Sequence, residues 1–305
     1  MGYDIIGDIH GHADSLRAVL RKMDYREHDG CWRHPGRQAL FIGDFIDRGP
    51  GQAETVRIVR GMVDAGAALA IMGNHEFNAI AWDTPDPLRP GEYLRPHVGK
   101  NRKQHEAFLK ELEDKPALRR SILDWFLTLP LWLDLPDVRA VHASWHPQFM
   151  AKLEPKLQPG RCLDMKLLEA GCRRGSEEHR WLEAILKGPE VALPDGITFL
   201  QGDQRRSEAR TRWWDSGAIT FRQSAIVDDG AVPLLPDTPV PADLRFGYNG
   251  DQPLFIGHYW MRGEPRPLTP RVGCVDYSAG GGHPLVAYRW DGESVLDAAH
   301  FVAAK

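Results

Sequence analysis

Short apolar runs that stop at glycine recur along this chain. Ile5-Ile6 gives way to Gly7-Asp8-Ile9-His10-Gly11-His12, Ala39-Leu40-Phe41-Ile42 to Gly43-Asp44-Phe45-Ile46-Asp47-Arg48-Gly49, and Ala70-Ile71-Met72 to Gly73-Asn74-His75-Glu76. Such runs are expected of buried strands that deliver polar groups into a cleft at their C-terminal ends. Between them the period changes. Leu16, Val19, Leu20 and Met23 fall at i, i+3, i+4 and i+7, and Val56, Val59 and Val63 line one face of a stretch over 52–65 that Gly66 stops. The polar residues 25–37 predict a loop or short hairpin. The order strand, helix, strand, helix, strand predicts right-handed crossovers and neighbouring strands of one sheet.

Residues 83–99 carry Pro85, Pro87, Pro90 and Pro96 and read as irregular. Helical periodicity returns over 102–112 and 116–129, where Leu118, Ile122, Phe126 and Leu129 are in register, Asp114 is placed to cap and Pro116 suits a first turn. Two apolar arms around Pro136-Asp137 predict a hairpin ending in His142-Ala143-Ser144-Trp145-His146. Residues 150–250 are mixed in charge, with a helical pattern over 180–187 and a loop over 233–241, and read as a cap inserted between two core strands. Leu254-Phe255-Ile256-Gly257-His258 repeats the opening device, and strands over 272–277 and 285–290 flank Gly280-Gly281-Gly282. The expected architecture is α/β: two sheets packed as a sandwich and flanked by helices, in one domain over 1–305. Residues 83–130 form a helical insertion in this reading, and 150–250 the cap.

Composition narrows the setting. The 305 residues are 42% apolar, enough for a large core, and 38 basic against 42 acidic residues leave a net charge of −4. That balance supplies no positive field to hold nucleic acid nonspecifically. Cys31, Cys162, Cys172 and Cys274 show no C-x-x-C spacing, which fits a reduced compartment. The first strand pattern begins at Tyr3, leaving no room for a signal peptide, and no apolar run reaches the roughly 18 residues a bilayer crossing needs. The expectation is a cytoplasmic chain with no membrane partner.

Asp8, His10, Asp44, Asn74, His142 and His258 each follow an apolar run. They supply three carboxylate or amide groups and three imidazoles, a set that suits Mn, Fe, Zn, Co or Ni better than Ca or Mg. Six ligands exceed the needs of one open catalytic ion, and match two ions roughly 3.5–4 Å apart that share a carboxylate. Asp44, on the middle segment of the first three, is the natural bridge. In-line attack on phosphorus is the reaction such a pair favours.

Gly-Asp-Ile-His-Gly, Gly-Asp-Phe-Ile-Asp-Arg-Gly and Gly-Asn-His-Glu, in this order and spacing, resemble the calcineurin-like metallophosphoesterase superfamily. The middle motif resembles in particular the phosphoprotein phosphatases and the bacterial diadenosine tetraphosphatases. The resemblance is close over residues 3–78 and continues at His142, His258 and the closing strands. It implies that Asp8, His10 and Asp44 hold one ion, and that Asp44 reaches a second with Asn74, His142 and His258. The ions would be divalent or trivalent, manganese first, with iron, zinc, cobalt or nickel as alternatives. It further implies that metal-bound hydroxide attacks phosphorus, that His75 protonates the leaving oxygen, and that Asp47 holds the His75 imidazole in the useful tautomer. Arg48 offers a planar fork to phosphate oxygens. The implied substrate is a phosphate ester on a protein, nucleotide or small molecule. A phosphoprotein phosphatase-like activity stands first and dinucleoside polyphosphate hydrolysis is the alternative. A metal-binding regulatory module without turnover is a third reading, against which every implied catalytic group is present.

The chain also departs from the family. Where His-Gly-Gly and Gly-His-Thr are usual, it has His142-Ala143-Ser144-Trp145 and Gly257-His258-Tyr259-Trp260, so bulky aromatics are expected beside the metals. A second phosphate-binding arginine has four candidates, Arg205, Arg206, Arg210 and Arg212, in a cluster that otherwise reads as a solvated face. Trp145, Trp213, Trp214 and Trp260 read as core, with stacking on a substrate ring as the alternative. His12 reads as a cap, His146 and His283 as ordinary histidines, and Glu76 as a group that orients its helix.

Overall fold

The structure, a computed structural model, describes residues 2–194, 196–201 and 204–304. β1 (Gly2–Ile6) leads into α1 (Ala13–Lys22), a hairpin of β2 (Arg26–His28) and β3 (Cys31–Arg33), β4 (Arg37–Phe41), α2 (Gln52–Asp64), β5 (Ala68–Ala70) and α3 (Asn74–Asp83). Next come α4 (Gly99–Glu111) and α5 (Pro116–Phe126), then β6 (Trp132–Asp134) and β7 (Arg139–Val141). Three helices follow, α6 (Pro147–Leu153), α7 (Met165–Gly171) and α8 (Glu177–Lys187), and then short strands: β8 (Glu190–Ala192), β9 (Phe199–Gln201), β10 (Gln204–Arg206) and β11 (Glu208–Thr211). After α9 (Phe221–Ser224) and β12 (Ala225–Ile226), the chain closes with β13 (Leu254–Ile256), β14 (Val272–Cys274), β15 (Leu285–Trp290) and β16 (Phe301–Ala304).

Two sheets make the frame, one of five strands in the order β16-β15-β1-β4-β5 and one of four in the order β14-β13-β7-β6. β1, β4 and β5 run parallel and in step, with Ile6 opposite Phe41 and Phe41 opposite Ala70. Because the strands end level, the residues after each one leave the sheet at the same edge. In the second sheet β13 runs parallel to β7 with Phe255 opposite Ala140, and the Gly257 N–H donates to the His142 carbonyl at 2.8 Å. His142 and His258 therefore emerge together.

The apolar runs bury both faces, which is why they are nearly continuous. Ile5, Leu40 and Ile42 meet Val138, Ala140, Phe255 and Val275 between the sheets. Ile6, Ala39 and Phe41 pack the opposite way, in one cluster with Leu16, Val19 and Leu20 of α1 and Val56, Val59 and Met62 of α2. The expected α/β sandwich with flanking helices is the fold observed.

Local expectations differ in three places. Asp114 does not cap α5: Lys115 holds that position without a side-chain bond, and the turn starts on Pro116, whose fixed φ and missing N–H suit a helix start. That helix ends at Phe126, and Leu129 lies in a turn beyond it, its N–H bonded to the Phe126 carbonyl at 3.1 Å. The described residues of 150–250 hold the end of α6, all of α7 and α9, and a three-stranded sheet, β12-β11-β8, besides the helix expected around 180–187. Residues 195, 202 and 203 of the expected cap lie outside the described residues. Among those described, all four cysteines are free and no helix is long and apolar enough to cross a membrane.

Candidate metal centre

The strand ends converge on Asp44. Its Oδ2 lies 3.4 Å from His142 Nε2, 3.8 Å from His10 Nε2 and 3.9 Å from His75 Nε2. His142 Nε2 is also 3.2 Å from Asn74 Oδ1. Two groups of ligand-type side chains share Asp44, one with His10 and His75 and the other with His142 and His258. Asp8 joins from β1, where its Oδ2 accepts the His258 N–H at 3.0 Å and its Oδ1 is buried without a partner. All six residues expected to ligate metal are thus brought together, each at most 4% exposed. His75, expected beside the metals as an acid, has its Nε2 within the same group.

The backbone is bent to make this possible. His10, Asp44, Asp47, Arg48 and His258 all have left-handed φ, from 50° to 73°. Such conformations are uncommon for residues with a β-carbon and cluster at functional sites. Gly43 is left-handed too, at 92°, and a β-carbon there would sit 2.4 Å from the Gly73 nitrogen, so the turns after β4 and β5 touch. A β-carbon on Gly257 would sit 2.2 Å from Asp8 Oδ1. Glu76 ties these turns together by accepting the N–H groups of Asp44 and Phe45 at 2.8 Å and of Gly73 at 2.9 Å. Burial, with the charge of Asp44, pushes Glu76 up to about 7.

The donor set fits a cation. His10 Nδ1 donates to the Ile46 carbonyl at 3.0 Å and His142 Nδ1 to that of Ile42 at 2.7 Å, which turns each Nε2 toward Asp44. His10 Nε2 and both His258 nitrogens are buried without partners. Burial pushes His10 down to about 4 and His258 well below its ordinary value, so both stay neutral. Asp8 is driven well above the carboxylate range by burial and by the charges of Asp276 and Asp44. Bare lone pairs and crowded carboxylates in a dry pocket are costly. A positive ion among them relieves both, and oxygen and imidazole donors without thiolate suit a first-row transition metal.

Beside this group, two histidines grip Asp47. Its Oδ2 is 2.5 Å from His75 Nδ1 and its Oδ1 is 2.7 Å from His105 Nδ1, while its N–H donates to Gln52 Oε1 at 2.6 Å. Burial favours the protonated acid, but the hydrogen bonds from His105 and His75 outweigh it and hold Asp47 below its ordinary value. Burial likewise pushes His75 down, and the charges of Asp44 and Asp47 more than reverse it. Gln104 brings its Nε2 to 3.4 Å from His75 Nε2. Sequence reasoning missed His105 and Gln104. The only signal was a histidine three residues before Phe108 on the buried stripe of α4.

The outer residues sort by position. Arg48 is exposed, its guanidinium carbon 5.3 Å from the centre of the Trp260 ring. Of the arginine candidates, Arg210 reaches the site, donating to the His258 carbonyl at 3.1 Å. Arg205 bonds Thr198, Arg206 pairs with Glu190, and Arg212 is exposed. Trp145, Trp213 and Trp214 are buried core, whereas Trp260 is half-buried with its ring 6.1 Å from that of His10. His146 caps α6 through the Phe149 N–H, His283 is exposed, and His12 holds the cap position of α1 without a side-chain bond. Asp276 accepts the N–H groups of Trp260 at 2.7 Å and Ser278 at 2.9 Å.

A sandwich carrying imidazole and carboxylate donors at one edge defines a metal-dependent class. The Calcineurin-like phosphoesterase family matches residues 1–168, more than half of this 305-residue chain, and the chain belongs to that family. Membership implies divalent metal ions, and the groups around Asp44 are able to hold them. Among curated relatives, the asymmetrical bis(5'-nucleosyl)-tetraphosphatase PrpE of Bacillus subtilis (strain 168) is 43% identical over 135 residues, 43% of this chain and 52% of that protein. The symmetrical bis(5'-nucleosyl)-tetraphosphatase of Tolumonas auensis is 24% identical over 302 residues, 95% of this chain and 94% of that one. The chain spans only 31% to 62% of the length of the first PrpE relatives it matches. A solved protein serine/threonine phosphatase from Saccharomyces cerevisiae aligns with a TM-score of 0.54 at 14% identity, covering 100% of this chain and 80% of that one, a likeness of fold alone.

Proposed function

We propose that this protein is a two-metal phosphoesterase. The observation that carries the reading is the convergence of five other donor side chains on Asp44, with an Asp47-bound imidazole at the same edge. Asp8, His10 and Asp44 would hold one ion, and Asp44, Asn74, His142 and His258 the other, manganese being the first candidate and iron, zinc, cobalt or nickel the alternatives. When bound, the ions acidify water as a nucleophile and neutralise charge on the phosphoryl oxygens. The chain's own residues do the rest. Arg48 grips phosphate oxygens from the exposed side. Asp47 accepts a hydrogen bond from His75 Nδ1–H and so fixes the ring, leaving Nε2 to carry the proton that the departing oxygen takes.

Among phosphate esters, the reading favours dinucleoside polyphosphates over phosphoproteins. Its support is the tetraphosphatase names of the relatives, together with Trp260, a half-buried ring beside Arg48 that offers a stacking face next to a phosphate-binding group. The same reading takes the chain as one domain, with 83–130 as a helical insertion and 150–250 as a cap. Its support is that β13 to β16 return to the two sheets that β1 to β7 began.

The test is an assay with Mn²⁺ against 4-nitrophenyl phosphate, a phosphopeptide and diadenosine tetraphosphate. Turnover that a chelator abolishes and Mn²⁺ restores is expected, with the highest kcat/KM on the dinucleotide. A protein that binds two ions yet is inert on all three sinks the enzyme reading. A higher kcat/KM on the phosphopeptide overturns the substrate assignment.

A further inference from the structure

Arg95 lies beside the site and no catalytic role above uses it. Its backbone is fixed: the N–H donates to the Ala81 carbonyl of α3 at 3.0 Å, the buried Leu94 precedes it, and Pro96 follows. The side chain is half-buried, and its Nη2 donates to Gln104 Oε1 at 2.6 Å. Because a guanidinium only donates, that bond sets the amide so that Gln104 turns its nitrogen toward His75 Nε2, 3.4 Å away. With the ring neutral, Nε2 accepts that N–H, so two hydrogen-bond links join Arg95 to the His75 nitrogen on which the acid's proton would sit.

The charge around Arg95 is unbalanced. Burial lowers its pKa, opposed by the fields of Asp47 and Glu183. Both of those carboxylates are engaged elsewhere, Asp47 by His75 and His105 and Glu183 by Lys187. Among the described residues, Arg95 is in no ion pair, and its one side-chain acceptor is a neutral amide. Partly burying a guanidinium without a counter-charge is costly, and an anionic ligand offsets that cost.

We propose that Arg95 is an anion subsite on the leaving-group side, which selects substrates whose leaving group carries its own phosphate. On this assignment Arg48, beside Trp260, takes the phosphoryl group that is attacked, and Arg95, linked to His75 through Gln104, takes the phosphate that departs. This proposal rests on the phosphoesterase reading and deepens it, because a phosphoserine or aryl leaving group has no charge for Arg95 to hold.

The test compares wild type with Arg95→Gln, which keeps a donor toward Gln104, and Arg95→Lys, which keeps the charge. The ratio of kcat/KM for diadenosine tetraphosphate to that for 4-nitrophenyl phosphate is expected to fall about 10- to 100-fold in Arg95→Gln, the scale of a hydrogen bond to a charged group, and to recover at least in part in Arg95→Lys. An unchanged ratio, or one that falls as far in Arg95→Lys, overturns the proposal. A second arm needs no turnover: ADP binding to the metal-free protein, measured by calorimetry, is expected to be tighter in wild type than in Arg95→Gln. No difference between the two, whether both bind or neither does, also overturns it. Should the loaded wild type cleave neither substrate, the phosphoesterase reading fails while the calorimetry still decides Arg95.

Discussion

Replacing His105 by alanine tests how α4 serves the chemistry. His105 is 2% exposed and donates from 2.7 Å to one oxygen of Asp47, a carboxylate whose other oxygen holds His75. Hydrogen bonds to buried charges contribute roughly 1.5–3 kcal/mol, so His105→Ala is expected to destabilise the fold by about that amount. Its effect on turnover has an upper bound. Losing a general acid outright costs roughly 10²–10⁴-fold, and loosening the group that orients it should cost less, on the order of 10- to 100-fold. The assay pairs phenyl phosphate, whose leaving oxygen needs a proton, with 4-nitrophenyl phosphate, whose leaving oxygen hardly does. The loss is expected to be several-fold larger on phenyl phosphate. His105→Asn, whose amide can donate near the Nδ1 position, is expected to restore most of it. Equal losses on both substrates, or no rescue by asparagine, would mean that His105 only packs against Phe108 and Trp82.

Three further perturbations read other parts of the account. His75→Ala should keep both metals and lose turnover by roughly 10²–10⁴-fold, and unchanged turnover would remove His75 from the mechanism. Gly257→Ala should displace Asp8, since its β-carbon falls 2.2 Å from Oδ1; elemental analysis is expected to find fewer than two ions per chain, and full loading with full activity would refute the clash. Asp86 is held down to about 2 by its hydrogen bonds to Arg173, both 2.6 Å long. Its folded pKa lies below the ordinary 3.8, so its contribution to stability is complete above the ordinary value and is lost as pH falls from there toward about 2. The Tm gap between wild type and Arg173→Gln should therefore narrow between about pH 6 and pH 2.5, and a constant gap would contradict the linkage.

The parts of this molecule that were legible in its sequence are those where strand end, glycine and donor side chain lie within a few consecutive residues. Asp8, Asp44 and Asn74 could be placed because parallel strands in register carry such motifs to one edge, and an apolar run ending in polar residues marks that edge. His142 and His258 followed from the same pattern in the second sheet. His105 and Gln104 reach the site from α4 and Arg95 from the stretch before it, far along the chain from the residues they meet, and helix periodicity alone says nothing of what a buried histidine touches. Arg210 could not be separated from its neighbours either, because only the pairing of β11 with β8 and β12 decides which arginine turns toward His258. Asp114 looked like the better cap on composition, but Pro116 already removes one of the free N–H groups a cap would satisfy.

The central claim is that Asp44 is shared between two ions, and metal content tests it most directly. Wild type and Asp44→Asn, reconstituted with Mn²⁺ and desalted, would be measured by elemental analysis, with circular dichroism to confirm that both are folded. About two ions per chain are expected in wild type and close to none in a folded Asp44→Asn, because each ion loses the carboxylate that joins it to the other. A folded Asp44→Asn that retains two ions would contradict the bridging role, and a wild type that never exceeds one would contradict the two-metal account itself.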